Sequence, residues 1–113
     1  MSGSYCPRRG DIVWLTFAPQ AGHEQAGHRP AITLSPESYN RKVGLALFCP
    51  ITSHSKGYPF EVHLPQNCKI SGVVLSDQVK SLDWKARQAS FCCELPQDIV
   101  HEVLNKLGTL IDE

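Results

Sequence analysis

Gly10-Asp11-Ile12-Val13-Trp14-Leu15-Thr16-Phe17 and Ala31-Ile32-Thr33-Leu34-Ser35-Pro36 bracket the polar run Gly22-His23-Glu24-Gln25-Ala26-Gly27-His28-Arg29-Pro30. The two outer stretches are dominated by β-branched and aromatic residues, so both read as short strands. The run between them carries a carboxylate, two imidazoles and a guanidinium. Loops that dense in ionisable groups are seldom there for packing, and a loop held between two strands is where catalytic groups usually sit.

Outward from this unit the chain continues as short strands. Pro36 to Lys42 reads as a polar connection, Gly44-Leu45-Ala46-Leu47-Phe48-Cys49 as an apolar strand, and Thr52-Ser53-His54-Ser55-Lys56-Gly57 as a second polar loop. Phe60-Glu61-Val62-His63-Leu64 alternates apolar and polar, which predicts a half-buried strand with Glu61 and His63 outward. Gly72 to Leu75 and Arg87 to Cys92 are two further strands around a polar stretch from Ser76 to Lys85. From Pro96 the period changes: Ile99, Val100, Val103, Leu104, Leu107, Leu110 and Ile111 recur on one helical face. Pro96 suits a first helical turn, and Asp98 suits the positive end of the dipole. The expected fold is mainly β: a small antiparallel sheet curled into a half-open barrel, with a C-terminal amphipathic helix over one side. Strand parity separates Trp14 from Leu15, so only one set is expected to face the core; Trp14 is assigned there, and Phe17 beside the loop is left open as a base-stacking group.

At 113 residues and 42% apolar content, residues 1–113 are expected to form a single domain, since length over ~150 gives roughly one unit. No apolar run approaches the ~20 residues of a membrane span, and Met1-Ser2-Gly3-Ser4-Tyr5 lacks the regions of a signal peptide, so the cytoplasm is the expected compartment. Five cysteines without a C-x-x-C pair indicate neither a zinc ribbon nor a disulfide framework. Reduced thiols are expected, with Cys92 and Cys93 on opposite faces of a strand. Net charge is zero, but residues 94–113 carry minus four and residues 1–93 plus four. The basic part is the part with the loops, and a local basic face attracts phosphate even on a neutral protein.

Gly10-Asp11 with Trp14, the loop Gly22-x-Glu24-Gln25-x-Gly27-x-Arg29-Pro30, Leu34-Ser35-Pro36 with Tyr39-Asn40, Lys56-Gly57-Tyr58-Pro59-Phe60-Glu61-Val62, and Asp77-Gln78-Val79-Lys80-Ser81 run in order through the chain. Together they resemble the MazF/PemK family of toxin endoribonucleases. The resemblance implies a small SH3-like barrel, a homodimer, and metal- and cofactor-independent cleavage of single-stranded RNA at a short sequence. It also implies a cognate antitoxin with an acidic flexible tail that occupies the RNA groove, and DNA binding by the toxin–antitoxin complex. By family position Arg29 and Thr52 are the catalytic pair and Glu24 assists. Phe17, His28, Ser53, Lys56, Asp77, Gln78 and Lys80 are the expected RNA-binding residues. The chain departs from the family in His23, His54, His63 and the stretch Leu64-Pro65-Gln66-Asn67-Cys68-Lys69.

The same chemistry follows from the residues. RNA carries its own nucleophile, the 2′-hydroxyl, so an enzyme that cleaves it needs alignment, proton transfer and charge stabilisation. Arg29 offers a planar fork of donors that can clamp two phosphate oxygens. Thr52 can add one hydrogen bond, and a single preorganised donor contributes roughly 3 kcal/mol. A guanidinium is a poor base, so Glu24 is a candidate base or orients Arg29, and His28 has the pKa range for acid–base work. The carboxylates are scattered, with no spacing that suits a two-metal site, so no metal is expected. Two readings from other classes compete: a non-enzymatic toxin of the gyrase-poisoning kind, acting through its C-terminal helix, and an SH3-like peptide-binding module. The first would not need Glu24, Arg29 and Thr52 together, and the second would need more free aromatic side chains. A homodimer is expected to bury the helix face Ile99, Val103, Leu107 and Leu110 and to cover strand edges near residues 44–50 and 72–75.

Overall fold

The computed structural model describes residues 5–17 and 27–112. Along them run β1 (Asp11–Phe17), β2 (Gly27–Thr33), α1 (Glu37–Val43), β3 (Leu45–Thr52), β4 (Glu61–His63), β5 (Val73–Leu75), β6 (Lys80–Asp83), β7 (Ser90–Glu94) and α2 (Gln97–Ile111). The strands pair antiparallel in the order β4-β5-β3-β2-β1-β7, with β6 also on β3. β3 makes the sheet curl. One of its edges pairs with β6 over Leu45 to Phe48 and then with β5 at Ile51 and Thr52, while the other pairs with β2 over Phe48 to Pro50. Pro50, which has no N–H to donate, stands where that edge changes partner.

Both faces of β1 are covered, which corrects the expectation that only one set of its residues faces a core. Ile12 joins Ile32, Leu34, Cys49, Ile51, Val62, Val74, Val100 and Val103 in a first cluster beneath α2, and Trp14 packs against it half-buried. Val13 and Leu15 join Ala31, Ala46, Phe48, Cys6 and Trp84 in a second cluster on the other face, with Phe17 packed at its margin. Burying a side chain such as Phe48 contributes about 1.5–3 kcal/mol, so each cluster is a substantial part of the fold's stability.

The polar connection after Pro36 is a helix. Its single buried residue is Asn40, so it shows no apolar stripe, but Glu37 lies in its first turn, Arg41 and Lys42 in its last, and Gly44 closes it at φ 85° with an N–H to the Asn40 carbonyl. Asn40 is fully buried and ties four segments together. Its amide donates to the carbonyls of Pro7 (2.9 Å) and Ser35 (3.0 Å), its side-chain oxygen accepts from Ser35 Oγ (2.6 Å), and its carbonyl accepts from Trp84 Nε1 (2.9 Å). Ser35 and Asn40 of the two motifs are therefore structural.

Three other expectations change. The stretch from Ser76 to Lys85 contains β6, whose exposed residues hide its ladder with β3. Cys92 and Cys93 do not take opposite faces. The β1–β7 register shifts between Ile12, opposite Cys93, and Val13, opposite Phe91, so Cys92 is an extra bulge residue and both thiols pack on the first cluster. The expected open edges are largely covered: β5 is paired with β3 and with β4, and β3 with β6 over Leu45 to Phe48 and with β2 over Phe48 to Pro50. On α2, Val100 and Val103 are buried, while Leu110 and Ile111 at its end are exposed.

Candidate active site

Arg29 stands in β2, inside the ladder with β1 and opposite Leu15; the strand begins at Gly27, earlier than the sequence pattern indicates. The β2–β3 ladder pairs Ala31 with Pro50. The ladder ends at that pair, but Arg29 and Thr52 each lie two residues beyond it and keep the parity of Ala31 and Pro50, so both belong to the face those two residues share. Arg29 has the parity of Ala31, so that face is the one carrying the second cluster. Ala31 is buried there while Arg29 is exposed, which puts the guanidinium where the core opens to solvent.

Other groups share this face. Phe17 lies opposite Gly27 at the end of the β1–β2 ladder, and the Arg87 guanidinium sits over its ring, 4.5 Å from the centroid. The Arg87 main chain is held beside β1 because its carbonyl accepts the Thr16 N–H at 2.7 Å. Lys80 is exposed and pairs with Phe48, hence also on this face, about 13 Å along β3 from Thr52 at 3.3 Å per residue. The acidic helix α2 packs against the first cluster, on the opposite face of β1 and β2. Arg29, Lys80 and Arg87 are thus on the face opposite α2, which carries Asp98 and Glu102.

Thr52 Oγ1 accepts the His54 N–H at 3.1 Å, a short turn that leaves the hydroxyl proton to be donated elsewhere. Gly72 makes the position of Thr52 possible. Its φ is +135°, and a Cβ there would stand 2.3 Å from the Thr52 carbonyl oxygen, so only glycine lets the two backbones approach this closely.

The loop that follows Thr52 is organised by Glu61, which corrects its expected outward position. The Glu61 carboxylate is buried, and it accepts from Lys56 N (2.7 Å), Ser55 Oγ (2.8 Å) and Gly57 N (3.0 Å). The Lys56 N–H and then the Ser55 and Gly57 donors hold this carboxyl below the usual carboxylate range. Two further contacts pin the loop. Tyr58 Oη donates to Asp77 Oδ1 at 2.7 Å, which raises the phenol's pKa, and Lys106 Nζ of α2 donates to the carbonyls of Pro59 (2.6 Å) and Glu61 (3.1 Å). Ser53 and Lys56 project from this loop and are exposed; Asp77 and Gln78 occupy the turn between β5 and β6 that the loop touches.

Of the residues expected to form the site, the fold gathers Arg29, Thr52, Phe17 and Lys80 on one face and sets Ser53 and Lys56 on the adjoining loop. Asp77 and Gln78 join that loop through Tyr58. His28 is not brought to Arg29: it follows the opposite parity, on the Trp14 side of the sheet. Glu24 and His23 lie outside the described residues. The sequence placed Arg87 only among dispersed basic residues and Glu61 only on an outward face, and it gave no role to Gly72 or Lys106. Gly72 just before a β-branched run is a detectable sign of close backbone approach, whereas the stacking of Arg87 on Phe17 depends on a long-range contact with no local mark.

A family model for the PemK-like, MazF-like toxin of type II toxin-antitoxin systems matches residues 8–111. The chain is 53% identical over 111 residues to the endoribonuclease toxin MazF of Escherichia coli, covering 98% of this chain and 99% of that protein. It is 36% identical over 107 residues to the endoribonuclease PemK of Escherichia coli, covering 91% of this chain and 80% of that one. Among solved structures, a MazE–MazF crystal structure from Deinococcus radiodurans aligns with a TM-score of 0.91 at 55% identity, over 96% of this chain and 97% of that one.

Proposed function

We propose, starting from the fact that this chain belongs to the PemK-like, MazF-like family of type II toxin–antitoxin toxins, that it is an endoribonuclease that cleaves single-stranded RNA on the face bearing Arg29 and Thr52. The observation that supports the reading is the strand parity that assigns Arg29 and Thr52 to one face, the face that carries the second buried cluster. A phosphodiester bound there meets the Arg29 fork on two of its oxygens, where negative charge grows as the 2′-oxygen attacks phosphorus. Thr52, its oxygen already engaged by the His54 N–H, donates its proton to a third oxygen. Lys80 and Arg87 carry flanking phosphates, and Phe17, already stacked beneath Arg87, lies at the edge where an unpaired base can be received. Glu24 assists, as proton acceptor or by orienting Arg29.

No metal enters this scheme, because the substrate supplies the nucleophile and the guanidinium supplies the charge. The physiological partner is an antitoxin whose acidic flexible tail competes with RNA for the same basic face. The chain acts as a homodimer in the cytoplasm. The test is incubation of the purified protein with a long single-stranded RNA in excess chelator. Fragments ending in a 2′,3′-cyclic phosphate, with 5′-hydroxyl partners, are expected. A requirement for magnesium, or 5′-phosphate ends, would show that water attacks and overturn the mechanism; no cleavage at all would favour a non-enzymatic toxin or a peptide-binding module.

A further inference from the structure

The stretch Leu64 to Lys69 carries a cysteine that the proposed RNA-cleaving face does not use. Cys68 stands in the linker between β4 and β5, and its sulfur lies 3.6 Å from that of Cys93 in β7. Both residues are half-buried, and they line a surface cleft with Pro65, Asn67, Lys69 and Glu94. Cys92, next in the chain, is buried in the first cluster, so the β7 bulge aims one of two adjacent thiols into the core and sets the other against Cys68.

We propose that Cys68 and Cys93 form a dithiol site that reacts with a small-molecule disulfide of the glutathione type and closes reversibly to a Cys68–Cys93 disulfide, tethering the 64–72 linker to β7. In the first step the Cys68 sulfur attacks one sulfur of the small disulfide. That S–S bond breaks, one small thiol leaves, and the second remains on Cys68 as a mixed disulfide. In the next step the Cys93 sulfur attacks Cys68, expelling the second small thiol. Two electrons pass from the protein to the small molecule, and the two cysteine protons leave on the two released thiols.

The geometry favours closure. The sulfurs need to approach by only about 1.5 Å to reach bonding distance, and one partner sits on a linker outside any strand or helix. The order of attack follows from the surroundings: burial, and then the bond to Cys68, pushes the Cys93 thiol up to about 12, so it resolves a mixed disulfide instead of starting one. The tether matters because the linker runs into Gly72, whose backbone packs on the Thr52 carbonyl.

The test uses the full chain, reduced and folded, treated with oxidised glutathione, quenched by alkylation and mapped by mass spectrometry without reductant. Wild type should lose two hydrogens and yield a Cys68–Cys93 cross-linked peptide that dithiothreitol reverses. Cys93→Ser should stop at glutathione on Cys68, and Cys68→Ser should react at Cys93 several-fold more slowly. Amide exchange over residues 66–70 should slow several-fold in the oxidised form. Glutathione retained on wild-type Cys68 without a cross-link, a cross-link through Cys92 instead, or unchanged exchange in the oxidised linker would overturn the proposal. None of these readings depends on RNA cleavage, so the proposal stands or falls apart from the function assigned to the chain.

Discussion

Arg29 bears the strongest consequence at the scale of a single residue. Its exposure at the end of a paired strand means that removing its side chain costs little packing, so Arg29→Ala should fold normally and lose at least a hundredfold in cleavage, the scale of one lost charge-stabilising donor. Arg29→Lys should recover only part of that loss, because an ammonium cannot clamp two oxygens in a plane. Near-normal cleavage by folded Arg29→Ala would remove it from the site. Gly72→Ala should behave differently, destabilising the fold by about 1–3 kcal/mol in chemical denaturation and depressing cleavage, since the new Cβ displaces Thr52. Glu61 adds a dependence on pH. Its carboxyl is held below its usual value, so the order it gives the 55–57 loop is fully present above pH ~4.3 and is lost as pH falls through the lowered folded-state value. Glu61→Gln should loosen the loop at neutral pH, raising amide exchange at Lys56 and Gly57 while leaving the strands protected; equal protection in both proteins would show that the carboxylate is not the organiser.

Among the elements, legibility in the sequence followed the number of covered faces. α2 could be read from its period because it buries one stripe and leaves the rest to water. β1 and β3 could be recognised as strands, but not which of their residues were inside, because both faces of β1 are covered and parity then loses its meaning. α1 and β6 escaped recognition for the opposite reason: what they bury is an amide network around Asn40 and an exposed-looking ladder, neither of which leaves an apolar pattern. Glu61 shows the same limit inside the site, since a charged residue in an alternating strand reads as outward unless the loop that supplies its donors is already in view. Arg29 and Thr52 were proposed from the resemblance, yet that they share a face follows from the pairing of β2 with β3, which no local window contains. α2 in turn supports the loop through Lys106. Lys106→Met should keep the helix and the core but raise exchange over residues 58–61, with a several-fold fall in cleavage; unchanged exchange would exclude this support.

Taken as a whole, the molecule sets three basic side chains of the proposed site, Arg29, Lys80 and Arg87, on one face and exposes several large apolar residues elsewhere. Tyr39, Val43 and Leu47 on α1 and β3 leave apolar area in contact with water, which supports self-association. Sedimentation at micromolar concentration should show a dimer, and a monomer alone would contradict the assembly proposed. RNA methylated on the 2′-oxygen at the cleavage site should bind the basic face but resist cutting, because the internal nucleophile is blocked; cleavage of that RNA would refute attack by the 2′-oxygen. The pairing of β1 with β7 has a bearing on how such a protein is made. β1 and β2 leave the ribosome early, but the strand that covers the outer edge of β1 and the arginine that stacks on Phe17 come from the last quarter of the chain. Until residues 87–94 have been synthesised the basic face has neither its flank nor its second edge. A polypeptide proposed to cut RNA is built on RNA, and this topology withholds the flank and second edge of the proposed site until β7 has followed β1 and β2 out of the ribosome.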